Sequence, residues 1–147
     1  MTHPLSIIDR LVGDAAPAED VSSVVETISR DLVLLLNSWE ILPVAETPYS
    51  EELQASVLNY GVPNMAGKST KSSTLSNYQK QVRDAVLRFE PRLDPSTLTV
   101  EVALLPPPAG GSEFGLRIEG ELLGLETRRR VQFRSRVSAS TGRVVLV

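Results

Sequence analysis

The residues with the clearest potential for chemistry lie around Glu90, in the run Glu90-Pro91-Arg92 that is closely followed by Asp94. Glycoside hydrolysis requires two carboxyl groups, one as general acid and one as nucleophile or base. The acid needs a raised pKa, but Arg92 lies between the two carboxylates in sequence and favours their charged forms. We therefore expect ion pairing here and predict no catalytic residue. A muramidase that uses Glu90 to cleave peptidoglycan is the enzymatic alternative.

Two other features of the sequence give weaker indications of chemistry. Gly67-Lys68-Ser69 looks like the end of a phosphate-binding loop, but the five residues between Gly61 and Gly67 exceed the spacing of that motif by one. We interpret this segment as a solvated loop. His3 is the only histidine, and the chain has no cysteine. The sequence therefore predicts no histidine-based triad, no metal site and no cofactor.

Composition bounds the class of protein. A chain of 147 residues, of which 41% are hydrophobic, can build one domain with a core. The formal net charge of −3 argues against a general nucleic-acid binder. No apolar run reaches the roughly 20 residues of a membrane span, so we expect no membrane insertion. The N-terminus lacks a signal-peptide pattern, which together with the absence of cysteine predicts a cytoplasmic protein.

Helical periodicity predicts the elements that lead to Glu90. The strongest pattern covers residues 73–93, with Ser73 as N-cap and an end at Phe89 or Glu90, because a proline disfavours helical geometry in the residue before it. A second helix is predicted over residues 21–36 with Asp20 as N-cap. The pattern places Asp31 beside the buried stripe of that helix. A short helix is predicted over residues 50–58.

The first residues of the chain are predicted to form a separate unit. An amphipathic segment at residues 4–12 precedes the run GDAAPAED, which we interpret as a tether. One short helix cannot bury its apolar face alone, so this segment must dock on its own domain or on a partner. We therefore divide the chain into an N-terminal segment with its tether, residues 1–20, and a single domain, residues 21–147.

After Arg92 the apolar period changes to two, which is typical of strands with one buried face. The first three strands are predicted over residues 98–104, 114–122 and 129–137, with residues 106–112 as a hairpin connection. Their inward-facing residues are predicted to be Leu98, Val100, Val102, Leu104, Phe114, Leu116, Ile118, Leu122, Val131, Phe133 and Val137. The order of elements predicts an α+β fold, with N-terminal helices followed by an antiparallel sheet of about four strands.

A last strand is predicted after the turn at Ser140-Thr141-Gly142. Its residues are Arg143, Val144, Val145, Leu146 and Val147. This strand is apolar on both faces, and an uncovered apolar edge is a template for a strand of another chain. We therefore predict that these five residues bind a partner.

The outward faces of the second and third strands carry charges that allow two interpretations. The second strand presents Arg117, Glu119 and Glu121, and the third presents Arg130, Gln132, Arg134 and Arg136. Acidic residues of the second strand can pair with basic residues of the third, each pair being worth a few tenths of a kcal/mol. The basic face can instead receive an anion or an acidic partner. The sequence favours the cross-strand pairs.

Five segments together resemble a known family. They are LSIIDRLVG (5–13), RDLVLLLNSW (30–39), SVLNYGVPNM (56–65), VRDAVLRFEPRL (82–93) and the C-terminal STGRVVLV (140–147). In this order they resemble TssE, the family of type VI secretion baseplate proteins that is homologous to a wedge protein of contractile phage tails. One departure is Ser38-Trp39 after Asn37, where the family would have threonine and a basic residue.

The resemblance implies structural work and no enzymatic activity. It implies a wedge subunit that joins a TssF and TssG core, with TssK nearby, at the place where the TssB and TssC sheath begins to polymerise. In the family the Glu-Pro-Arg motif helps to hold the wedge core, so this role falls to Glu90, Pro91 and Arg92. The resemblance also implies a cytoplasmic baseplate docked at the inner membrane. A lysozyme-like label attaches to the family, but no residue pair here meets the requirement of that chemistry.

Three functions therefore follow from the sequence. The first is a baseplate adaptor that primes sheath assembly when the edge of its last strand receives another strand. A baseplate subunit of another contractile injection machine is a close variant of it. The second is the muramidase that depends on Glu90. The third is a free-standing binding domain whose basic strand face meets an acidic partner.

Overall fold

The main helices of the fold carry one apolar stripe each. The computed structural model describes residues 20–39, 51–54, 56–106, 113–125 and 127–147. Helix α1 spans Val21–Asn37, α2 is the four-residue helix Glu51–Gln54, and α3 spans Ser72–Phe89. The predicted N-terminal segment at residues 4–12, its tether and most of the hairpin connection lie outside the described residues.

Two helix predictions were wrong at their boundaries. Helix α3 begins at Ser72 with Lys71 at the N-cap, so Ser73 lies inside the helix and does not cap it. The short helix predicted over residues 50–58 is divided into α2 and a 3-10 turn, Val57–Asn59. Ser56 is extended, with φ −77° and ψ 158°, and its hydroxyl donates to the carbonyl of Leu53 at 2.8 Å. The extended backbone of Ser56 is not helical, so Ser56 separates α2 from the 3-10 turn.

The start of α1 lies where the sequence predicts, but its capping differs. Asp20 occupies the N-cap position without a side-chain hydrogen bond to the helix. The hydroxyl of Ser23 instead donates to the carbonyl oxygen of Asp20 at 2.8 Å. Further along α1, Asp31 is buried among the apolar residues, so its predicted place beside the stripe was wrong.

The four strands form one antiparallel sheet in the order β1-β2-β3-β4, which confirms the predicted α+β class. They span Thr99–Leu104, Glu113–Glu121, Arg130–Ser138 and Val144–Leu146. Because sequential strands are neighbours, β1 and β4 are the two edges. In register, Gly115 of β2 lies between Ala103 of β1 and Arg136 of β3.

The core lies between the two long helices and one face of the sheet. Tyr78 of α3 packs edge-on against Phe114 of β2, with ring centroids 5.6 Å apart. Burial confirms most of the predicted inward face, but Leu104, the last residue of β1, is 60% exposed. The largest buried side chains are Tyr78, Phe114, Ile28, Leu32, Leu35, Leu36, Met65, Leu116 and Ile118. Among the described residues, no helix combines the length and apolarity needed to cross a membrane.

The predicted ion pairs between β2 and β3 were wrong in their partners. The register sets Arg134 opposite Arg117, so two like charges meet across these strands. Arg117 pairs with Glu101 of β1 instead, and also lies 3.6 Å from Glu119 on its own strand. Within the described residues, Arg134 and Arg136 form no ion pair with a carboxylate.

Candidate functional site

The corner after α3 is built on a buried ion pair between Glu90 and Arg92. The helix ends because Pro91 follows, and the chain turns back so that the two side chains lie face to face. The Nε of Arg92 donates to Oε1 of Glu90 at 2.6 Å, and Nη2 donates to Oε2 at 2.6 Å. Both side chains are almost fully buried, with exposures of 4% and 2%. This two-point arrangement fixes both charge and geometry.

Helix α1 supplies a second carboxylate to the same guanidinium. Nη2 of Arg92 also donates to Oδ2 of Asp31 at 2.6 Å. The other carboxylate oxygen of Asp31, Oδ1, lies 3.1 Å from Nη2 of Arg30, whose side chain is half exposed. Burial alone would lower the pKa of Arg92, but hydrogen bonds and charges from Glu90 and Asp31 outweigh it and raise that pKa. The cluster therefore binds α1 to the end of α3.

An aromatic pair lies beside the cluster. Tyr60 packs edge-on against Phe89, with centroids 5.1 Å apart, and its hydroxyl lies 3.4 Å from the backbone oxygen of Asp31. Burial, then the nearby charges of Asp31 and Glu90, raise the pKa of the Tyr60 hydroxyl from 10.0 to about 12. Tyr60 thus stays neutral and contributes to the apolar surroundings of the ion pair.

The corner is also joined to the end of β2. Leu93 forms an antiparallel bridge with Leu122, and the backbone oxygen of Arg92 accepts a bond from the N–H of Leu123 at 2.8 Å. Pro91 is the part of the corner that faces solvent. The Glu-Pro-Arg motif therefore directs its two charges inward and presents its proline outward.

Asp94 does not share a site with Glu90. Its carboxylate accepts hydrogen bonds from the N–H and hydroxyl of Ser96, at 2.8 and 2.7 Å, which hold the pKa of Asp94 below its ordinary value. Glu90 faces Arg92 inside the protein. The two carboxyl groups therefore do not frame a common cleft of the kind that glycoside hydrolysis uses.

The predicted terminal strand lies at the edge of the sheet. Val144 is buried, whereas Val145 and Val147 are 52% and 75% exposed. The N–H of Val147 donates to the carbonyl of Arg134 in β3, and the carbonyl of Arg143 accepts from the N–H of Ser138 in β3. Because backbone bonds alternate along an antiparallel strand, Val144 and Leu146 direct their N–H and C=O groups away from β3.

A side-chain amide occupies half of this outer edge. The Oδ1 of Asn37 accepts from the N–H of Val144 at 2.9 Å, and its Nδ2 donates to the carbonyl of Val144 at 2.9 Å. The N–H and C=O of Leu146 have no partner among the described residues. The opposite edge has a similar contact, because the N–H of Val102 in β1 donates to Oε1 of Gln79 at 3.3 Å.

A groove of about 500 Å³ runs between the end of α1 and β4. Its walls include Val33 and Trp39 on one side and Val144 to Leu146 on the other. Trp39 is 58% exposed and forms a parallel bridge with Val62. This edge therefore combines an open pair of backbone groups with exposed apolar side chains.

Comparison with known families decides the class of protein. A family model described as baseplate wedge protein gp25 matches residues 22–127, most of the chain. The chain belongs to this baseplate wedge family. The predicted family is thereby confirmed, and the chain has a structural place in the baseplate of a phage-tail-like machine. A search of curated proteins and a search of solved structures each return no match.

The family match includes the Glu90 corner and ends before β3 and β4. In this gp25-family chain, the predicted site residues form two separate features: Glu90, Pro91 and Arg92 at the corner, and Arg143 to Val147 at the sheet edge. Among the described residues, no group of three histidine or acidic side chains could hold a metal ion.

Sequence reasoning missed Asp31 and Asn37 as members of these features. A signal for Asp31 exists, because it lies three residues after Ile28 and four before Leu35, on the buried stripe. No local signal exists for Asn37, whose partner Val144 is 107 residues away in the chain.

Proposed function

We propose that this chain is the TssE subunit of a type VI secretion baseplate. In this role it joins a TssF and TssG wedge core, with TssK nearby, to the TssB and TssC sheath. It acts as a structural adaptor without enzymatic activity, in a cytoplasmic baseplate that docks at the inner membrane. The edge of β4 primes sheath polymerisation by receiving a strand. A baseplate subunit of another contractile machine is the alternative within the same family.

The main support for a contact with the sheath is that β4 is exposed at the edge of the sheet. It is an edge strand in which Val145, half exposed, lines the groove that contains Trp39, and Val147 is three quarters exposed. Leu146 directs toward that groove an N–H and a C=O that no described residue binds. An added strand gains affinity from such backbone groups and specificity from the neighbouring apolar side chains.

We assign the contact with the wedge core to the corner, where the buried and the exposed residues have different roles. Glu90 and Arg92 are buried and bind each other, so they act on a partner by holding the corner in shape. Pro91 is exposed and supplies the contact surface. The surroundings of Glu90 do not favour a muramidase, because its carboxylate is buried against a guanidinium.

The test is a pull-down of TssF, TssG, TssB and TssC with purified variants. Leu146→Pro removes the outward N–H of β4 while leaving the inward bonds to β3 in place, since proline is tolerated where an edge N–H faces outward. We expect it to lose the sheath proteins and retain TssF and TssG. Pro91→Glu, which places a charge on the exposed corner, should show the reverse pattern.

The matched control is Leu104→Pro, at an outward position of the opposite edge strand β1, where the side chain is exposed. Circular dichroism of each variant establishes that it is folded. Retention of sheath proteins by folded Leu146→Pro, or equal loss with Leu104→Pro, contradicts strand addition at β4. Failure of the wild-type chain to retain any of the four proteins contradicts the assignment to type VI secretion.

A further inference from the structure

The outer face of the sheet contains a second groove, on the side away from the helices. It has a volume of about 420 Å³ and is lined by Ala103, Leu105, Gly115, Arg134, Arg136 and Val147, with the Glu101–Arg117 ion pair at one end. We call these six lining residues the basic groove. Strand addition at β4 makes no use of its floor or of its arginines.

The floor of the basic groove is low because two residues that pair across the strands there are small. Gly115 pairs with Ala103 on one side and with Arg136 on the other. The methyl group of Ala103 therefore lies next to a glycine, which has no side chain. A Cβ built on Gly115 would lie 3.3 Å from Cδ2 of Leu105. The depression is therefore shallow and apolar, with room for the tip of one aliphatic side chain.

The two arginines at the rim of the basic groove form no ion pair with a described residue. Arg134 and Arg136 point to the same face, two residues apart on β3, which separates them by about 7 Å. Among the described residues, the side chain of Arg134 donates only to the amide oxygen of Gln132, at 2.9 Å. Neither arginine has an ion-pair partner there, although the chain as a whole carries a net charge of −3.

We propose that the basic groove binds an acidic amphipathic helix of a partner protein. A leucine of that helix would lie over Gly115, and two glutamates one turn apart from each other would reach Arg134 and Arg136 on the neighbouring strand β3. Glutamates three or four residues apart on a helix are about 5–6 Å apart at their Cβ atoms, which suits two guanidinium groups with this separation. Guanidinium groups bind carboxylates at two points, which sets the orientation of the helix.

A nucleic-acid partner fits less well. Glu101, Glu119 and Glu121 lie on the same outer face and would repel a run of phosphates. A helix with a few carboxylates needs only the two arginines at the rim and the apolar floor.

The experiment is an NMR titration of the full ¹⁵N-labelled chain with a synthetic helical peptide of about 20 residues, above the roughly 12–15 residues below which isolated helices are marginal in water. The peptide carries two glutamates four residues apart, with a leucine three residues after the first of them. We expect amide shifts centred on Ala103, Gly115 and Arg136, and weaker binding as salt increases. A second peptide with glutamine in place of each glutamate should cause little change.

Two double variants with the same change in net charge separate the groove from general electrostatics. Arg134→Gln with Arg136→Gln should weaken peptide binding about fivefold to tenfold, the effect of two partly exposed ion pairs. Arg83→Gln with Arg88→Gln on α3 should leave it within about twofold. A third variant, Gly115→Ala, fills the floor and should also weaken binding.

Four results would overturn the proposal: shifts centred elsewhere, equal binding of the glutamine peptide, equal effects of the two arginine pairs, or tighter binding of a double-stranded oligonucleotide at the same residues. None of these measurements uses a baseplate or sheath protein. Failure of the basic groove is therefore distinguishable from failure of the proposed adaptor function.

Discussion

At the scale of single residues, Arg92 is the charge on which the corner depends. It neutralises Glu90, at the C-cap of α3, and Asp31, within α1, and both carboxylates are buried. A buried ion pair adds little net stability compared with apolar packing, but removing one partner leaves the others without compensation. The corner is therefore sensitive to loss of the cation.

We expect Arg92→Ala to lower the free energy of unfolding by about 3–5 kcal/mol, because two carboxylates then remain buried without their cation. The measurement is urea unfolding followed by circular dichroism. Arg83→Ala on the exposed side of α3 is the control and should stay within about 0.5 kcal/mol of wild type. Equal effects of the two substitutions would show that the cluster does not stabilise the fold.

Tyr60 gives the corner a dependence on alkaline pH. Its pKa is raised from 10.0 to about 12 in the folded chain, so the folded state holds the proton more tightly than the unfolded state. This contribution is complete below pH 10 and is lost as the pH rises through about 12. We expect the melting temperature of wild type to fall more steeply across this range than that of Tyr60→Phe. Parallel curves would contradict the assignment.

The sequence predicted part of this cluster and missed part of it. Arg92 was expected to pair with an acid because it lies between Glu90 and Asp94, and it does pair with Glu90. Asp94 binds Ser96 instead, because the turn after the corner directs it outward. Asp31 comes from another helix, so only the helix packing reveals its place.

At the scale of elements, the turn before β4 fixes the position of the edge strand. Gly142 has φ +73° and lies against the loop at Asn64. A Cβ on Gly142 would lie 2.0 Å from Oδ1 of Asn64 and 3.2 Å from the N of Ala66. Both the backbone conformation and the close contact require glycine here.

Gly67 provides a matched comparison, because it has φ +70° and a Cβ added there would have no atom within 4 Å. We expect Gly67→Ala to cost about 1–2 kcal/mol through backbone strain alone. Gly142→Ala should cost clearly more, because it adds displacement of Asn64. Urea midpoints of the two variants measure the difference. Equal losses of stability in the two variants would show that the loop at Asn64 moves aside at no cost in free energy.

The amide of Asn37 protects one backbone group of β4 in a way that hydrogen exchange can detect. We expect Asn37→Ala to speed exchange at the N–H of Val144 while leaving that of Val147, which bonds to Arg134, unchanged. Gln79→Ala should have the corresponding effect at Val102 and none at Val144. Uniform acceleration along β4 would mean that Asn37 holds the whole strand in place.

The strands could be predicted because their period of two is a local property of the sequence. Their partners could not, since a small shift in register decides whether Arg134 faces Glu119 or Arg117. The observed register places Arg117 opposite Arg134. This register leaves Arg134 without an acidic residue opposite it on β2, whereas Glu121 lies opposite Arg130.

At the scale of the whole molecule, the two long helices and the sheet share one cluster of buried apolar residues from Val24 to Val144. The corner lies near the start of β1, whereas the basic groove lies toward its end. The molecule thus separates the corner from the basic groove while using one core. This separation allows a variant at one surface to leave the other intact.

Because the core is continuous, we expect unfolding in urea to be a single transition. Fluorescence of Trp39 at the end of α1 and far-ultraviolet circular dichroism should give the same midpoint. The result tests the prediction that residues 21–147 form one domain. An earlier fluorescence transition would show that the end of α1 and its groove unfold separately from the sheet.

The carboxamides of Asn37 and Gln79 have a consequence for how the sheet can grow. Each amide offers the same kinds of group as a peptide bond, an N–H donor and a C=O acceptor, and each already holds a backbone group on the outer side of an edge strand. A strand that joins the Val144 end of β4 therefore enters an exchange reaction, in which old hydrogen bonds are replaced by new ones at little net gain. The selectivity of that exchange must come from side chains such as Val145 and Trp39. A chain that offers only its backbone gains nothing by displacing Asn37.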